Sequence, residues 1–303
     1  MHPLLRMVQD LSSSLSTQPG LMKTIPRVIW ILWLQGFNNA PDVVKKCLQS
    51  WQDYNPDWEL ITLDSENLST YLNFRQIIDL DNRPDITVQE VSNIIRTNLL
   101  ASYGGVWVDA TCLCCQPLNT WIDEYASSGF FAFYKPARDR LLSNWFLASS
   151  PDCYLTTRFC QEHNYFWNQH RFVHPSKCYS RVVVGLLKKI LNRNVNSTRF
   201  WFSPLILKIA RIYPYHIHHY HLAKLINNDT RCKEIWQETK KFRADIPLNL
   251  KLDVLTKPIT EELKQHMDAK VTPCYKLAWK KLTSKDNDDF SSESVIEYVL
   301  SQS

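Results

Sequence analysis

Three observations predict an α/β fold for this 303-residue chain, with a mixed, mostly parallel central sheet flanked by helices. The continuous apolar run RVIWILWL at 27–34 reads as a strand buried on both faces, as parallel strands are. A strand, helix, strand unit grows from it. Pro41-Asp42 opens a helical stripe of Val43, Val44, Cys47, Leu48 and Trp51, Asn55-Pro56-Asp57 ends it, and WELITL at 58–63 forms the second strand. Finally, YGGVWVDAT at 103–111 feeds a double-glycine turn into a short strand whose C-terminal end carries Asp109, where open α/β sheets collect ligands.

The remaining elements follow in order. Residues 1–24 are Ser-rich and aperiodic, a frayed or briefly helical lead-in, and 25–303 reads as one domain without repeat or linker. Asp64 opens a polar loop and a short helix at 66–71, and 73–86 is irregular. Thr87 to Glu90 has the capping-box form, a hydroxyl at the helix start and a carboxylate three residues on. Val88, Val91, Ile95 and Leu99 then make an apolar stripe that stops at Gly104-Gly105, and Ser92 and Arg96 share one face at i, i+4. After VWVDATCLC, Pro117 breaks the strand. A helix at 119–127, a strand at 129–134 and a charged loop at 135–140 (KPARDR) follow. Beyond Pro151 the pattern is mainly helical, at 151–169, 176–192, 218–226 and 257–267, with a polar loop at 284–292 and a last helix at 293–301.

A chain of this length buries a large core without disulfide or metal staples. With 11 Trp, 13 Tyr and 13 Phe it is rich in rings that suit cores and also stack on bases and sugars. A net charge of +5 gives mild attraction to anions, and no basic run is long enough to point to nucleic acid. No stretch approaches the ~20 apolar residues that cross a bilayer, and the first residues lack an apolar signal core, so the chain reads as soluble and not secreted. Nine Cys fit reduced thiols in a cytoplasm. Cys112, Cys114 and Cys115 lack the second pair that a zinc site needs and read as strand thiols.

Several residues carry two readings. Asp109 either holds a divalent cation bridging two phosphates or caps the next turn. Arg96 either grips phosphate oxygens with its planar fork or makes a salt bridge with a helical neighbour. Lys135 and Arg138 either reach a phosphate or sit in solvent. Of His216, His218, His219 and His221, at most one is expected to touch a ligand, the rest packing in the core. The stripe VVVGLLKKIL at 182–191 could lie on a membrane surface, with core packing the preferred reading.

Four segments carry a family resemblance: IPRVIWILWLQG, PDVVKKCLQSWQDYNPDWELITLD, EVSNIIRTNLLASYGGVWVDATCLCCQPLNTW and FFAFYKPARDRLLSNWFLAS. In this order they resemble the glycosyltransferases known as capsular polysaccharide synthesis proteins, relatives of sugar transferases with a DXD motif. A weaker likeness continues through IYPYHIHHYHLAKL and TPCYKLAWKKL. The resemblance implies a GT-A-like fold with a donor-binding core at 25–150 and a mainly helical acceptor side at 151–303. It implies transfer of a hexose from a UDP- or GDP-sugar to a carbohydrate hydroxyl in capsular or surface polysaccharide synthesis, with retention and a divalent cation, Mn2+ or Mg2+. Trp30 or Trp33 would stack on the base; Asn93, Arg96, Gly105, Asn144 and Trp145 would hold the donor. Asp109 and Arg96 would be catalytic. Asp109 matches the first acid of the DXD motif, but the second position is Thr111, whose hydroxyl is a much weaker metal ligand. The place of action would be the cytoplasm or the inner face of its membrane, with peripheral contact. An effector-type transferase acting on a protein, or a silent sugar- or nucleotide-binding protein, are the rival readings.

Overall fold

A computed structural model describes residues 24–250, 252–278 and 293–301; the polar loop expected at 284–292 and nearly all of the lead-in lie outside them. β1 (Val28–Leu32), helix α1 (Asp42–Tyr54) and β2 (Glu59–Leu63) form the predicted unit. β1 pairs in parallel with β2 on one side and with β3 (Gly105–Asp109) on the other. β6 (Arg140–Ser149) runs antiparallel to β3, and β5 (Phe130–Ala137) closes the edge, so the order is β2-β1-β3-β6-β5 and four of the five strands run one way.

Both faces of the sheet are buried, which is why β1 is apolar throughout and β3 is apolar up to Asp109. Ile29, Ile31, Val106 and Val108 join Val44, Cys47 and Trp51 of α1 in one core. Val28, Trp30, Leu32 and Trp107 point the other way, into a core shared with Ile95, Leu99 and Leu100 of α2 (Val88–Tyr103). Each side chain of this size, fully buried, contributes about 1.5–3 kcal/mol. The α2 start has half of the expected capping box: Thr87 Oγ1 accepts from the Glu90 N–H at 3.4 Å, while the Glu90 carboxylate turns inward to Asn93. Gly104 ends the helix at φ 66°, and any Cβ there would meet the Ser149 carbonyl at 2.7 Å.

Beyond β3 the chain makes β4 (Cys112–Cys114), which pairs antiparallel with β7 (Cys274–Lys276), a strand the sequence reading did not anticipate. This ladder returns a distant segment to the end of β3. Helices α3 (Tyr154–Gln169), α4 (Cys178–Leu191) and α5 (Ile217–Asn228) match the expected helices, and α6 (Thr230–Glu238), capped by Asp229, is an addition. Shorter α7 (Glu261–Asp268) and α8 (Val295–Ser301) follow.

Two expectations are corrected. The segment 135–140 is the tip of a β-hairpin, not a loop: β5 runs on to Ala137, Arg138 and Asp139 make the turn, and β6 starts at Arg140. Helix α4 packs only part of its apolar stripe: Val183, Val184 and Leu187 reach the core, while Val182, Leu186 and Ile190 are 54%, 59% and 55% exposed.

Candidate functional site

A cleft of about 410 Å³ opens where β1 and β3 end, walled by α2, by β6, by the segment leading into α5 and by β7. Asp109 sits on its floor, the carboxylate a quarter exposed. Arg96 Nη1 approaches one carboxylate oxygen at 3.1 Å and Lys276 Nζ approaches the other at 3.2 Å. Trp107 Nε1 donates to the same oxygen that Arg96 faces, at 3.1 Å. Burial pushes the Asp109 pKa up, but Arg96, Lys276 and the donated hydrogen bonds outweigh it and hold the carboxyl below its usual range. Burial likewise disfavours the Lys276 ammonium, and Asp109 more than compensates, keeping it protonated.

Arg96 is fixed from four sides. Its Nη2 donates to Ser92 Oγ at 3.0 Å and its Nε to the Ser92 carbonyl at 3.3 Å, as the shared helix face requires. Nη1 also donates to the Asn144 carbonyl. The guanidinium lies 4.9 Å over the Trp107 ring, a stacking geometry open to arginine more than to lysine. Beside it runs a relay of amides: Asn144 Nδ2 donates to Asn93 Oδ1 at 2.9 Å, and Asn93 Nδ2 to Glu90 Oε2 at 3.0 Å. Glu90 is buried, which raises its pKa to about 7.

Of the residues expected to hold a donor, Trp33, Asn93, Arg96, Asp109, Asn144 and Trp145 line the cleft, and so does Thr111. Trp30 and Gly105 do not. Trp30 is buried on the α2 side of the sheet, donating to the Gly104 carbonyl at 2.9 Å and packed edge-on against Tyr71. Gly105 serves packing: its φ is 89° and a Cβ would meet the Val28 carbonyl at 2.7 Å. Lys135 and Arg138 are absent from the lining, where the hairpin puts Arg140 instead. Two histidines reach the cleft, one more than expected, because His216 caps α5 and His219 is one turn on. Burial lowers the pKa of both, His216 to about 4, so both are neutral at pH 7. His218 and His221 are core residues near His163; Thr97 Oγ1 lies 3.1 Å from His218 Nε2.

Among the described residues the donor set offers a Mn2+ or Mg2+ one carboxylate. Asp109 is the only carboxylate among the described cleft residues, and both of its oxygens already face cations. Thr111 Oγ1, at the second acid's position, accepts from Lys276 Nζ. A divalent ion there would meet two positive charges and one charged ligand, when hard cations select several oxygens. Among the described residues no group of three or more His, Cys, Asp or Glu is placed to hold a metal. All nine cysteines are unpaired, and burial raises the Cys112 and Cys115 pKa values to about 12, as inert strand thiols require.

Lys276 is the residue that reading the sequence missed. Its signals were the segment TPCYKLAWKKL and the short strand CLC, which needed a partner and had none nearby in sequence. Trp107 and Arg140 were hidden for the same reason, since neither strand parity nor the hairpin turn is fixed by pattern alone.

The chain is similar to known proteins along most of its length. It is 26% identical over 144 residues to "O-glycosyltransferase braB" of Annulohypoxylon truncatum, covering 42% of this chain and 34% of that protein. It is 27% identical over 120 residues to "Glycosyltransferase afumC" of Aspergillus fumigatus, covering 36% and 31%. The matched part thus spans about a third of these curated relatives. Among solved structures, "PaToxG Glycosyltransferase" aligns with 88% of this chain and 90% of its own, at 12% identity and a TM-score of 0.35. Residues 4–298 match the family described as capsular polysaccharide synthesis protein, and with nearly the whole chain covered this protein belongs to that family.

Proposed function

We propose that this protein is a glycosyltransferase that moves a hexose from a UDP- or GDP-sugar to a carbohydrate hydroxyl during capsular or surface polysaccharide synthesis. The observation that carries the reading is the Arg96–Asp109–Lys276 clamp at the end of β3, inside a cleft rimmed by Trp33, Trp145 and Tyr215. Four strands running one way with an acid at the end of β3 support a GT-A-like fold. The family membership and the names of the relatives support sugar transfer.

In this scheme the donor diphosphate lies against Lys276, Arg96 and Arg140, whose charge stabilises the leaving group as it departs. Asp109 orders the two nearest cations and accepts hydroxyls of the sugar or ribose. Trp33 or Trp145 packs on a ring of the donor; Trp145 is itself stacked on Phe133 at 4.8 Å and so held in place. The C–O bond from the anomeric carbon to the diphosphate breaks as the acceptor oxygen bonds to that carbon, and the acceptor proton passes to the departing phosphate oxygen. The same geometry supports retention as the proposed outcome. An inverting transfer needs a base for the acceptor, and among the described residues the cleft has no other carboxylate than the clamped Asp109, with histidines too weakly basic for the task. The unpaired thiols and the nucleotide donor support a cytoplasmic place of action.

The test is donor hydrolysis by the purified protein over a panel of UDP- and GDP-sugars, with EDTA or Mn2+ present. One sugar is expected to turn over in both conditions, and not in Asp109→Ala. No turnover of any donor, with Asp109→Ala binding nucleotide as well as wild type, would sink the enzyme reading.

A further inference from the structure

Between Glu162 and Asp229 the chain carries ten Lys and Arg and not one Asp or Glu. The same stretch leaves large apolar side chains in solvent. On α4, Tyr179, Val182, Leu186 and Ile190 follow one another at helical spacing and are all at least half exposed. On the other side of the helix Val183, Val184 and Leu187 pack into the core built around Trp167, Trp201 and Tyr220. The 196–202 turn packed beside α4 adds Phe200, and the 205–210 turn packed on that one adds Leu205 and Ile209, at 50%, 64% and 74% exposure. Arg181, Lys189, Arg193, Arg199, Lys208 and Arg211 stand exposed among them.

Scattered apolar side chains on a surface need no explanation, but a stripe four residues long with adjoining turns does. Every charge that the 163–228 stretch itself offers is positive, which an apolar face meeting a protein core or a second copy of itself would not require and like charges would oppose. An interfacial helix has this form, rings and aliphatics for the acyl boundary and Lys or Arg at its flanks for anionic headgroups. The face also adjoins the cleft. Asn192, at the end of α4, donates to Asp139 at 2.8 Å, next to Arg140 of the cleft.

We infer that the outer face of α4 and its adjoining turns docks this protein on the surface of an anionic phospholipid bilayer. Among the described residues no helix is long and apolar enough to cross the membrane, so contact is at one leaflet's surface. The cleft would then face acceptors presented at that surface. The docking itself is independent of the sugar-transfer reading and is measured without donor or acceptor.

The test is co-sedimentation of the full chain with vesicles of phosphatidylcholine, with and without phosphatidylglycerol, at low and high salt. Wild type is expected to bind the phosphatidylglycerol vesicles at low salt and to leave them at high salt. Val182→Ser/Leu186→Ser/Ile190→Ser and Lys189→Gln/Arg193→Gln should each bind about ten-fold more weakly or worse. Circular dichroism and melting show whether the variants are folded; these side chains are exposed, so both are expected to be. Wild type remaining in the supernatant overturns the inference, as does unchanged binding by both variants. A concentration-dependent dimer that the apolar variant breaks, without vesicle binding, overturns it too and assigns the face to a second copy.

Discussion

The two cations that flank Asp109 are held in different ways. Arg96 comes from α2, the helix that leads straight into β3, 13 residues before the carboxylate it meets. It is gripped by Ser92, Asn144 and the Trp107 ring, so its position is set even without Asp109. Lys276 arrives from 167 residues further along, on the three-residue strand β7, and its polar contacts are Asp109 and Thr111. One side of the clamp is a rigid wall and the other a single flexible stem. The wall orients a phosphate; the stem can follow charge as the leaving group develops it.

The strongest way to break this contrast is to remove what the two sides share. Asp109→Ala should lower donor turnover by about 100-fold or more, since a preorganised charged group at the reacting centre is lost, as initial rates on the active donor will show. Lys276→Met comes next. It should cost about 10–100-fold in turnover, with Lys276→Arg restoring part of it because the charge matters more than the stem's length. A smaller effect is expected at the wall: Arg96→Lys keeps the charge but loses the fork over Trp107 and the bonds to Ser92, raising KM by about ten-fold. If Arg96→Lys proves as damaging as Lys276→Met, the two sides do not differ as described.

The smallest effect concerns stability and tests the amide relay behind Arg96. Glu90 holds a pKa of about 7 in the folded protein against an ordinary value of 4.5. The folded state keeps a proton there that the unfolded chain has lost, so Glu90 costs stability progressively as pH rises from about 4.5 to 7. Glu90→Gln, which still accepts from Asn93, should match wild type near the low end of that window. At pH 8 it should be more stable by about 1–3 kcal/mol in denaturant melts.

The comparison also separates what was legible in the sequence. α1, β1 to β3 and α2 carry local signals, an apolar run, a helical stripe, a cap and a glycine stop, and all were readable. So was the Ser92–Arg96 face, and hence the wall. Lys276 was not, because β7 is set by pairing with β4 across the chain and three residues carry no periodicity. Trp30 and Trp33 were exchangeable on pattern, since β1 is buried on both faces; only the fold shows that Trp30 faces the α2 core while Trp33, beyond the strand, reaches the cleft. The α4 stripe is apolar on two sides, and sequence alone could not say which side the core takes.

The central proposal is that side-chain charge, rather than a resident divalent ion, holds the donor diphosphate. Calorimetric titration of UDP and GDP into the protein in EDTA tests it most directly, with Mn2+ and Lys276→Met as the second and third arms. The account predicts that one nucleotide binds in EDTA, that Mn2+ changes its affinity less than about three-fold, and that Lys276→Met weakens it about ten-fold or more. Binding that appears only with Mn2+, or that Lys276→Met leaves unchanged, would contradict it.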